Sequence, residues 1–125
     1  MVALSISVDG EKSKVRILKK LQEKMIKYFL DVIVLAELQN RQVSGYDLIS
    51  FIHEKFGFLA SSGTVYSLLY SLERHGLVEG VWFERKRVYK LTAKGLENIQ
   101  VILDLQDKIK GFMVTILTKA KGEAS

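Results

Sequence analysis

The sequence predicts a mainly α-helical fold with one small β-hairpin, and three patterns carry that prediction. Apolar residues recur at steps of three and four over most of the chain, as on one side of an α-helix. After Gly76 the period changes to about two, where "LVEGVWF" and "RVYKL" are β-branched and aromatic runs joined by "ERK". Glycine divides the middle of the chain into short elements, and proline is absent.

The first helical region is expected from about Glu11 to Asn40, after a short arm of residues 1–10. Its apolar residues form two adjacent lines: Leu18, Leu21, Met25, Tyr28, Val32 and Leu35, and beside them Ile26, Phe29, Ile33 and Ala36. An apolar face of this width is typical of a helix packed on two sides. The region also carries Lys12, Lys14, Arg16, Lys19, Lys20, Lys24 and Lys27. We interpret these cations as a solvated face, with peripheral phosphate contacts as the alternative.

Two shorter helices are predicted to follow. Ser44 is expected to cap the second helix, whose apolar stripe is Leu48, Ile49, Ile52 and Phe56. Ser61 or Ser62 is expected to cap the third, which runs to about His75. Gly76 then stands at the position where a left-handed residue ends a helix.

Thr92 is predicted to cap a last long helix over residues 93–120. Its apolar positions are Ile99, Ile102, Ile109, Met113, Ile116 and Ala120, with Gln106 in one slot. These spacings alternate three and four, which is a heptad seam with one polar position.

The order of elements is therefore helix, helix, helix, hairpin, helix, which predicts a winged helix-turn-helix with long N- and C-terminal helices. We expect a single domain over residues 1–125. Residues 1–23 are its N-terminal extension, 24–92 the winged helix-turn-helix region and 93–120 the C-terminal helix. The alternative is a small α+β domain with the same elements and no role on DNA.

Composition narrows the class of partner. The 125 residues carry a formal charge of +5, which favours a polyanion, nucleic acid first and an acidic membrane surface second. The absence of cysteine excludes disulfides and thiolate metal sites, and favours a reducing, cytoplasmic location. The longest apolar run, "YFLDVIVLAEL", contains Asp31 and Glu37, so we expect no membrane span. The N-terminus also lacks the pattern of a secretory signal.

The third predicted helix has two different sides. Val65, Leu68, Leu69 and Leu72 form a stripe that should be buried. The other side carries Thr64, Ser67, Ser71 and Arg74, flanked by Tyr66 and Tyr70, with Ser61 and Ser62 at its start. Small hydroxyl groups allow a close approach to bases and phosphates, and the helix N-terminus can receive a phosphate. We therefore predict that this side binds DNA; the alternative is half-buried packing.

The hairpin supplies positive charge. "ERKRVYK" holds Arg85, Lys86, Arg87 and Lys90, offset by Glu84. We expect this cluster to lie at a hairpin tip, beyond the reach of any neighbouring helix that could neutralise it. Its cations would then meet phosphates or enter the minor groove. The alternative is a solvated turn.

Several segments in unbroken order resemble the PadR family of transcriptional regulators. They are "FLDVIVLAEL", "SGYDLISFIHEKFGF", "SSGTVYSLLYSLERHGLVEG" and "RVYKLTAKG", within residues 29–95. The resemblance implies a dimeric repressor of a palindromic operator, with the C-terminal helix as the main dimerisation element. It also implies that Tyr46, Thr64, Tyr66 and wing cations among Arg85, Lys86 and Arg87 lie at or near double-stranded DNA. The single C-terminal helix resembles the short subclass of the family.

The chain departs from the family pattern at several points. Ser67 and Ser62 stand where proline is usual, and Tyr70 and Ser71 stand where basic residues are frequent, so base readout is expected to be less charged. The wing loop is short, and residues 1–23 precede the usual start. Many members of the family respond to small aromatic or apolar ligands held at the dimer interface. Trp82, Phe112 and Met113 could line such a site, but core positions are the preferred explanation, and no effector is assigned.

Two other classes of function compete with a DNA-binding regulator. An enzyme is not expected, because the only histidines, His53 and His75, have no close metal-ligating partner and no nucleophile or phosphate-loop motif is present. Catalytic residues, metal sites and cofactors are accordingly not predicted. The second rival is a winged helix that serves as a protein-interaction module or binds DNA without sequence preference.

Overall fold

The computed structural model describes residues 10–122, and this part of the chain folds into six helices and three short strands. The helices are α1 (Gly10–Tyr28), α2 (Leu30–Asn40), α3 (Gly45–Phe56), α4 (Ser62–Arg74), α5 (Ala93–Asp104) and α6 (Gln106–Ala120). The strands are β1 (Val43–Ser44), β2 (Val78–Phe83) and β3 (Lys86–Leu91). The predicted mainly α fold with a small hairpin is confirmed. The expected arm lies outside the described residues except for Gly10, which begins α1.

Two helices that the apolar pattern predicts as continuous are each interrupted once. Phe29 separates α1 from α2, and Leu105 separates α5 from α6, each with a ψ near zero. The hydrogen-bond ladder nevertheless continues: the Phe29 N–H donates to the Met25 carbonyl at 2.9 Å, and the Leu105 N–H to that of Val101 at 3.1 Å. The interruptions are therefore local departures from helical dihedrals, and no glycine or proline marks them in the sequence.

The structure confirms the helix caps predicted from the sequence. The Ser44 hydroxyl accepts a hydrogen bond from the Asp47 N–H at 3.1 Å, and the Ser44 N–H donates to the Asp47 carboxylate, which closes a capping box at the start of α3. These donors from Ser44 hold the pKa of Asp47 below its ordinary value. Ser61 rather than Ser62 caps α4, and Thr92 caps α5. Gly76 follows α4 with a φ of +75°.

A three-stranded antiparallel sheet, in the order β1-β3-β2, carries the hairpin. The sequence reading missed β1, whose two residues pair with Val88 and Tyr89 of β3. Strand β2 pairs with β3 from Val78↔Leu91 to Phe83↔Lys86, so the connecting turn is Glu84 and Arg85 alone. Both turn residues have positive φ, at 47° and 69°, as a two-residue hairpin turn of this hand requires. The expected three-residue connection "ERK" is thus one residue shorter, because Lys86 belongs to β3.

The core joins the sheet to α2, α3, α4 and α5. Its fully buried side chains are Val34, Leu48, Val65, Leu69, Val78, Tyr89 and Ile99. A second cluster, made of Ile26, Leu30 and Ile52, attaches α1 and the start of α2 to α3. The side of α4 that is left uncovered lies next to the hairpin, and the candidate site is found there.

Candidate nucleic-acid interface

Helix α4 has one buried and one open side, as predicted. Val65, Leu69 and Leu72 are buried and Leu68 is partly buried. On the open side Thr64, Ser67, Tyr70 and Arg74 are exposed, whereas Tyr66 and Ser71 are half-buried. The open side carries no acidic group before Glu73, so it presents hydroxyl groups and one cation to whatever approaches it.

The start of α4 is also open. The Ser61 hydroxyl accepts a hydrogen bond from the Thr64 N–H at 3.1 Å and donates to the Thr64 hydroxyl at 2.8 Å, so Ser61 acts in the cap. The N–H groups of Ser62 and Gly63 belong to the first turn, where no carbonyl of the helix can accept from them. No atom lies within 4 Å of the place that a Cβ on Gly63 would take. This end of α4 is thus accessible to an anion.

Gly45 allows Tyr66 to pack on the start of α3. A Cβ at position 45 would lie 2.6 Å from the Tyr66 ring, which is closer than any real contact of that kind. The next residue, Tyr46, is 71% exposed. The glycine therefore fixes Tyr66 on α4 beside an open tyrosine on α3.

Arg87 is not the free wing cation that the sequence predicts. Its Nη2 donates to both carboxylate oxygens of Glu73, at 3.0 and 2.8 Å, and the Gly80 N–H donates to the same carboxylate at 3.0 Å. A Cβ on Gly80 would overlap the Arg87 guanidinium group, so any larger residue there would have to push that side chain away from its present place. The hydrogen bonds with Glu73 raise the pKa of Arg87. Because Glu73 lies on α4, the expectation that no helix neutralises this cluster is wrong for Arg87.

Tyr89 lies beneath this ion pair. The Arg87 guanidinium carbon is 5.8 Å from the centroid of the Tyr89 ring. Among the described residues neither the buried Tyr89 hydroxyl nor the Arg87 Nε has a hydrogen-bond partner. Burial raises the pKa of Tyr89. The pair of Glu73 and Arg87 thus covers the core tyrosine and ties the hairpin to α4; we refer to it as the wing lock.

The other predicted wing cations have different surroundings. Arg85 and Lys86 are exposed, and within residues 10–122 neither forms an ion pair. Lys90 lies opposite Glu79 across the hairpin, with Nζ 4.0 Å from the carboxylate. Side chains alternate along a strand, so Lys90 is on the face of the hairpin opposite Arg87 and Tyr89. Arg85, in the hairpin turn, and Lys86, next to it, line the space between the hairpin and α4, whereas Lys90 does not.

A cleft of about 510 Å³ separates α4 from the hairpin, and we call it the wing cleft. Its lining residues come from α3, α4, the sheet and the turn: Ser44, Tyr46, Tyr66, Tyr70, Trp82, Arg85, Lys86, Arg87 and Tyr89. The cleft gathers most of the predicted aromatic and basic site residues in one place. It combines flat ring faces, hydroxyl groups and two unpaired cations, which suits the sugar-phosphate backbone of a nucleic acid.

The predicted C-terminal seam has to be shortened. Ile99 is completely buried in the core of its own chain, and Ile102 packs against that core, so these residues do not present a free surface. On α6, Ile109 and Ile116 are 45% and 47% exposed and Met113 is partly exposed. The free part of the seam therefore begins at α6, after the interruption at Leu105.

The preferred core explanation for Trp82 and Phe112 is wrong. Trp82 is 72% exposed in the wing cleft and Phe112 is 68% exposed on α6. No residue of α5 or α6 lines the wing cleft, so Trp82 is not brought together with Phe112 and Met113 as an effector site.

Sequence reasoning missed Glu73 and Gly80 as parts of the site. Glu73 lies fourteen residues before Arg87, and no local pattern marks a pair at that separation. Gly80 inside the predicted strand "LVEGVWF" was available as a signal, since a glycine inside a strand often marks a close approach of another group.

This arrangement defines a class of protein. A helix that is open beside a two-stranded wing and supported by a second helix, α3, is the geometry of a winged helix-turn-helix. The model of the family described as "Transcriptional regulator PadR-like family" matches residues 34–101, which is more than half of the chain. The chain belongs to the PadR-like family of transcriptional regulators, a class that is typically not enzymatic, and the resemblance seen in the sequence is confirmed.

Solved structures agree with this assignment. The chain is similar to a PadR family regulator from Eggerthella lenta, with 20% identity, a TM-score of 0.70, and 85% of this chain and 96% of that one covered. A PadR-like regulator from Bacillus cereus gives 23% identity and a TM-score of 0.67 over 75% of this chain and 96% of the other. These two likenesses establish the fold. Bacillus subtilis PadR in complex with operator DNA is 26% identical, with a TM-score of 0.53 over 59% of this chain and 45% of that one.

No curated protein matches the sequence. Within residues 10–122, no helix has the length and apolar character that crossing a membrane requires.

Proposed function

We propose that this chain is a dimeric transcriptional repressor that binds a palindromic operator, with α4 in the major groove and the hairpin on the adjoining phosphates. The observation that carries the proposal is the wing cleft, where Tyr66 and Tyr70 from the open side of α4 and the unpaired cations Arg85 and Lys86 line one space. The operator complex of the similar Bacillus subtilis PadR supports the same use of the fold.

The side chains of α4 support recognition of DNA bases mainly through hydroxyl groups. The residues that we assign to base edges and nearby phosphates are Ser62, Thr64, Tyr66, Ser67, Tyr70, Ser71 and Arg74. Hydroxyl groups can donate or accept, and Arg74 can make a bidentate contact with guanine. Tyr46, Arg85 and Lys86 are assigned to the backbone on either side of the cleft, where they would fix the register of α4.

The wing lock supports the idea that α4 and the wing approach DNA as one body. Glu73 joins the C-terminal half of α4 to both strands of the hairpin, through the Gly80 N–H on β2 and Arg87 on β3. An interface that is already arranged loses less conformational entropy on binding. We therefore assign Arg87 to holding the wing in place rather than to phosphate binding.

The exposed apolar residues of α6 support the dimer. No residue of this helix is buried, although Ile109, Phe112, Ile116 and Leu117 are large and apolar. A patch of this kind on a small protein usually marks an interface. A two-fold dimer places its reading helices about one turn of B-DNA apart, roughly 34 Å, which calls for a palindromic site.

Selection of bound genomic fragments by sequencing tests the proposal. We expect recovery of one inverted-repeat motif, including sites near promoters, and retention of a motif-bearing duplex in a gel shift against a large excess of random DNA. Transcription from such a promoter should fall when the protein is added. Recovery of fragments with no common motif would favour the interaction module or the non-selective DNA binder.

A further inference from the structure

A second basic surface runs along α1. Lys12, Arg16, Lys19, Lys20 and Lys27 are spaced so that they fall on one side of the helix, and Glu23 is the only acid among them. All five cations are exposed, and none forms an ion pair with another described residue. From Lys12 to Lys27 the helix rises by about 22 Å. We call these five residues the basic flank.

The packing of α1 sets the direction in which the basic flank points. On the other flank, Met25 and Phe29 line an apolar groove of about 420 Å³ with Phe56 of α3. On the basic side, Lys19 and Glu23 border a cleft with Phe58, and the Lys27 Nζ lies 5.9 Å from the centroid of the Phe58 ring. One edge of the basic flank, at Lys19 and Lys27, therefore lies beside the turn between α3 and α4.

This turn leads directly to the start of the reading helix. Phe58 precedes Ser61, the cap of α4, by three residues, a span of at most about 10 Å of chain. Phe58 is itself held in place, because it packs against both core clusters. The basic flank thus begins beside the open N-terminus of α4 and extends away from it along α1.

We propose that the basic flank binds the phosphates of DNA that flanks the operator, so that the footprint extends beyond α4 and the wing. This inference rests on the proposed function and adds a third contact surface to it. Phosphates are closely spaced along each strand of B-DNA, so five cations over about 22 Å of helix can meet several of them at once. These contacts add affinity and carry no sequence information.

An anionic membrane is the other polyanion that a basic amphipathic helix can bind. Such a helix inserts its apolar side into the lipid. In α1, Ile26 is buried in a core cluster, whereas Val15 and Leu18 border the cleft against Phe56 and Phe58 but stay 66% and 56% exposed. The apolar side of α1 is therefore only partly covered by α3. We favour DNA as the partner because the Lys27 end of the basic flank lies beside the turn that leads to the reading helix.

The test uses the full chain with Arg16→Gln, Lys19→Gln and Lys20→Gln together. Glutamine keeps a good helix propensity, so α1 should remain folded, which circular dichroism verifies. Binding is measured by fluorescence anisotropy to the selected operator and to the same operator extended by about ten base pairs at each end. On the extended duplex we expect the triple variant to lose about tenfold or more in affinity at low salt, with a shallower salt dependence. On the trimmed duplex it should match the unaltered chain.

The matched control is Lys108→Gln, Lys110→Gln and Lys119→Gln on α6, which changes the net charge equally. An equal loss in this control, an equal loss on both duplexes, or no loss on either would overturn the proposal. So would loss of binding to vesicles with about 30% anionic phospholipid while extended-duplex binding is retained, since the basic flank would then serve a membrane. If the unaltered chain shows no preference for the selected site, the proposed function fails, but the two duplex lengths still decide whether α1 contacts phosphates.

Discussion

At the residue scale, the neighbouring cations Lys86 and Arg87 have different tasks. Lys86 has no ion pair in the described part of the chain, whereas Arg87 is held by Glu73 of α4. A positive charge that is already matched by a carboxylate adds little to the net attraction for phosphate. Arg87 should therefore contribute to the shape of the interface and Lys86 to its charge.

A comparison of salt dependence separates these two tasks. We expect Lys86→Gln to weaken binding to all DNA sequences similarly and to reduce the slope of log K against log salt by about 1 for each chain bound. The double variant Glu73→Gln with Arg87→Gln leaves the net charge unchanged and should keep the slope of the unaltered chain. If the double variant flattens the slope as much as Lys86→Gln does, Arg87 contacts phosphate directly.

Gly45 gives a second prediction at this scale. Gly45→Ala places a methyl group against the outer end of the half-buried Tyr66 ring, which has to move aside, so the free energy of unfolding should change by less than about 1 kcal/mol. The displaced Tyr66 should also weaken operator binding. Thermal unfolding and anisotropy measure the two effects.

The control for this substitution is Gly63→Ala on the first turn of α4, where the space is open. Its stability should stay within about 0.5 kcal/mol of the unaltered chain. Operator binding by Gly45→Ala that equals that of the unaltered chain would contradict the role of Gly45 in placing Tyr66.

The capping box at Ser44 predicts a dependence on acid. Because the folded state lowers the pKa of Asp47 below 3.8, its stabilisation is complete above that value and is lost as the pH falls through the lowered pKa. Asp47→Asn should therefore cost stability at pH 7 but progressively less toward pH 2. Ser44→Ala should remove only part of this acid-dependent stabilisation, because the hydroxyl donor is lost while the backbone N–H at position 44 still donates to the carboxylate. Urea unfolding across this range measures both, and a cost of Asp47→Asn that is constant with pH would contradict the capping box.

Local sequence patterns predicted the roles of most individual residues, but they did not predict pairs of residues that lie far apart in the sequence. Ser44, Ser61, Thr92 and Gly76 were predictable because a cap depends on residues three or four positions away. The wing lock was not, because its partners meet only after the hairpin folds back on α4. The exposure of Trp82 was also not predictable, since an aromatic residue in a strand is as compatible with a core as with a binding cleft.

At the element scale, the role expected of each helix follows from which of its sides are buried. Helix α4 is covered on its apolar side only, α5 is anchored through Ile99, and α6 has no buried residue. The sequence did not predict strand β1, nor the interruptions of two helices at Phe29 and Leu105. A two-residue strand is too short to show alternation, and an interruption without glycine or proline leaves the apolar pattern intact.

Helix α6 carries the prediction on assembly. Ile109→Glu together with Ile116→Glu places charges on the free part of the seam and should convert a dimer to a monomer by light scattering, because a buried unpaired carboxylate is strongly unfavourable. Val114 is also exposed and apolar but lies on another side of the helix, so Val114→Glu should remain dimeric. A double variant that stays dimeric would place the contact elsewhere.

At the scale of the whole molecule, positive charge is found on two surfaces that border α4. One is the wing tip with Arg85 and Lys86, and the other is the basic flank of α1. The net charge of +5 alone could indicate only a polyanionic partner, whereas the fold puts the wing cations beside α4 and Lys27 of the basic flank beside Phe58, three residues before the cap of α4. This arrangement, more than the total charge, suits a duplex held across α4.

The most direct test of the central claim is to place a DNA-cleaving probe on the open side of α4. The chain has no cysteine, so Ser67→Cys creates a unique attachment point for a tethered iron chelate. We predict cleavage confined to the centre of each half-site of the selected operator, while the same probe at Thr115→Cys on α6 should give none there. Absence of cleavage from position 67 on an operator that the labelled protein still binds would contradict the assignment of α4 as the reading helix.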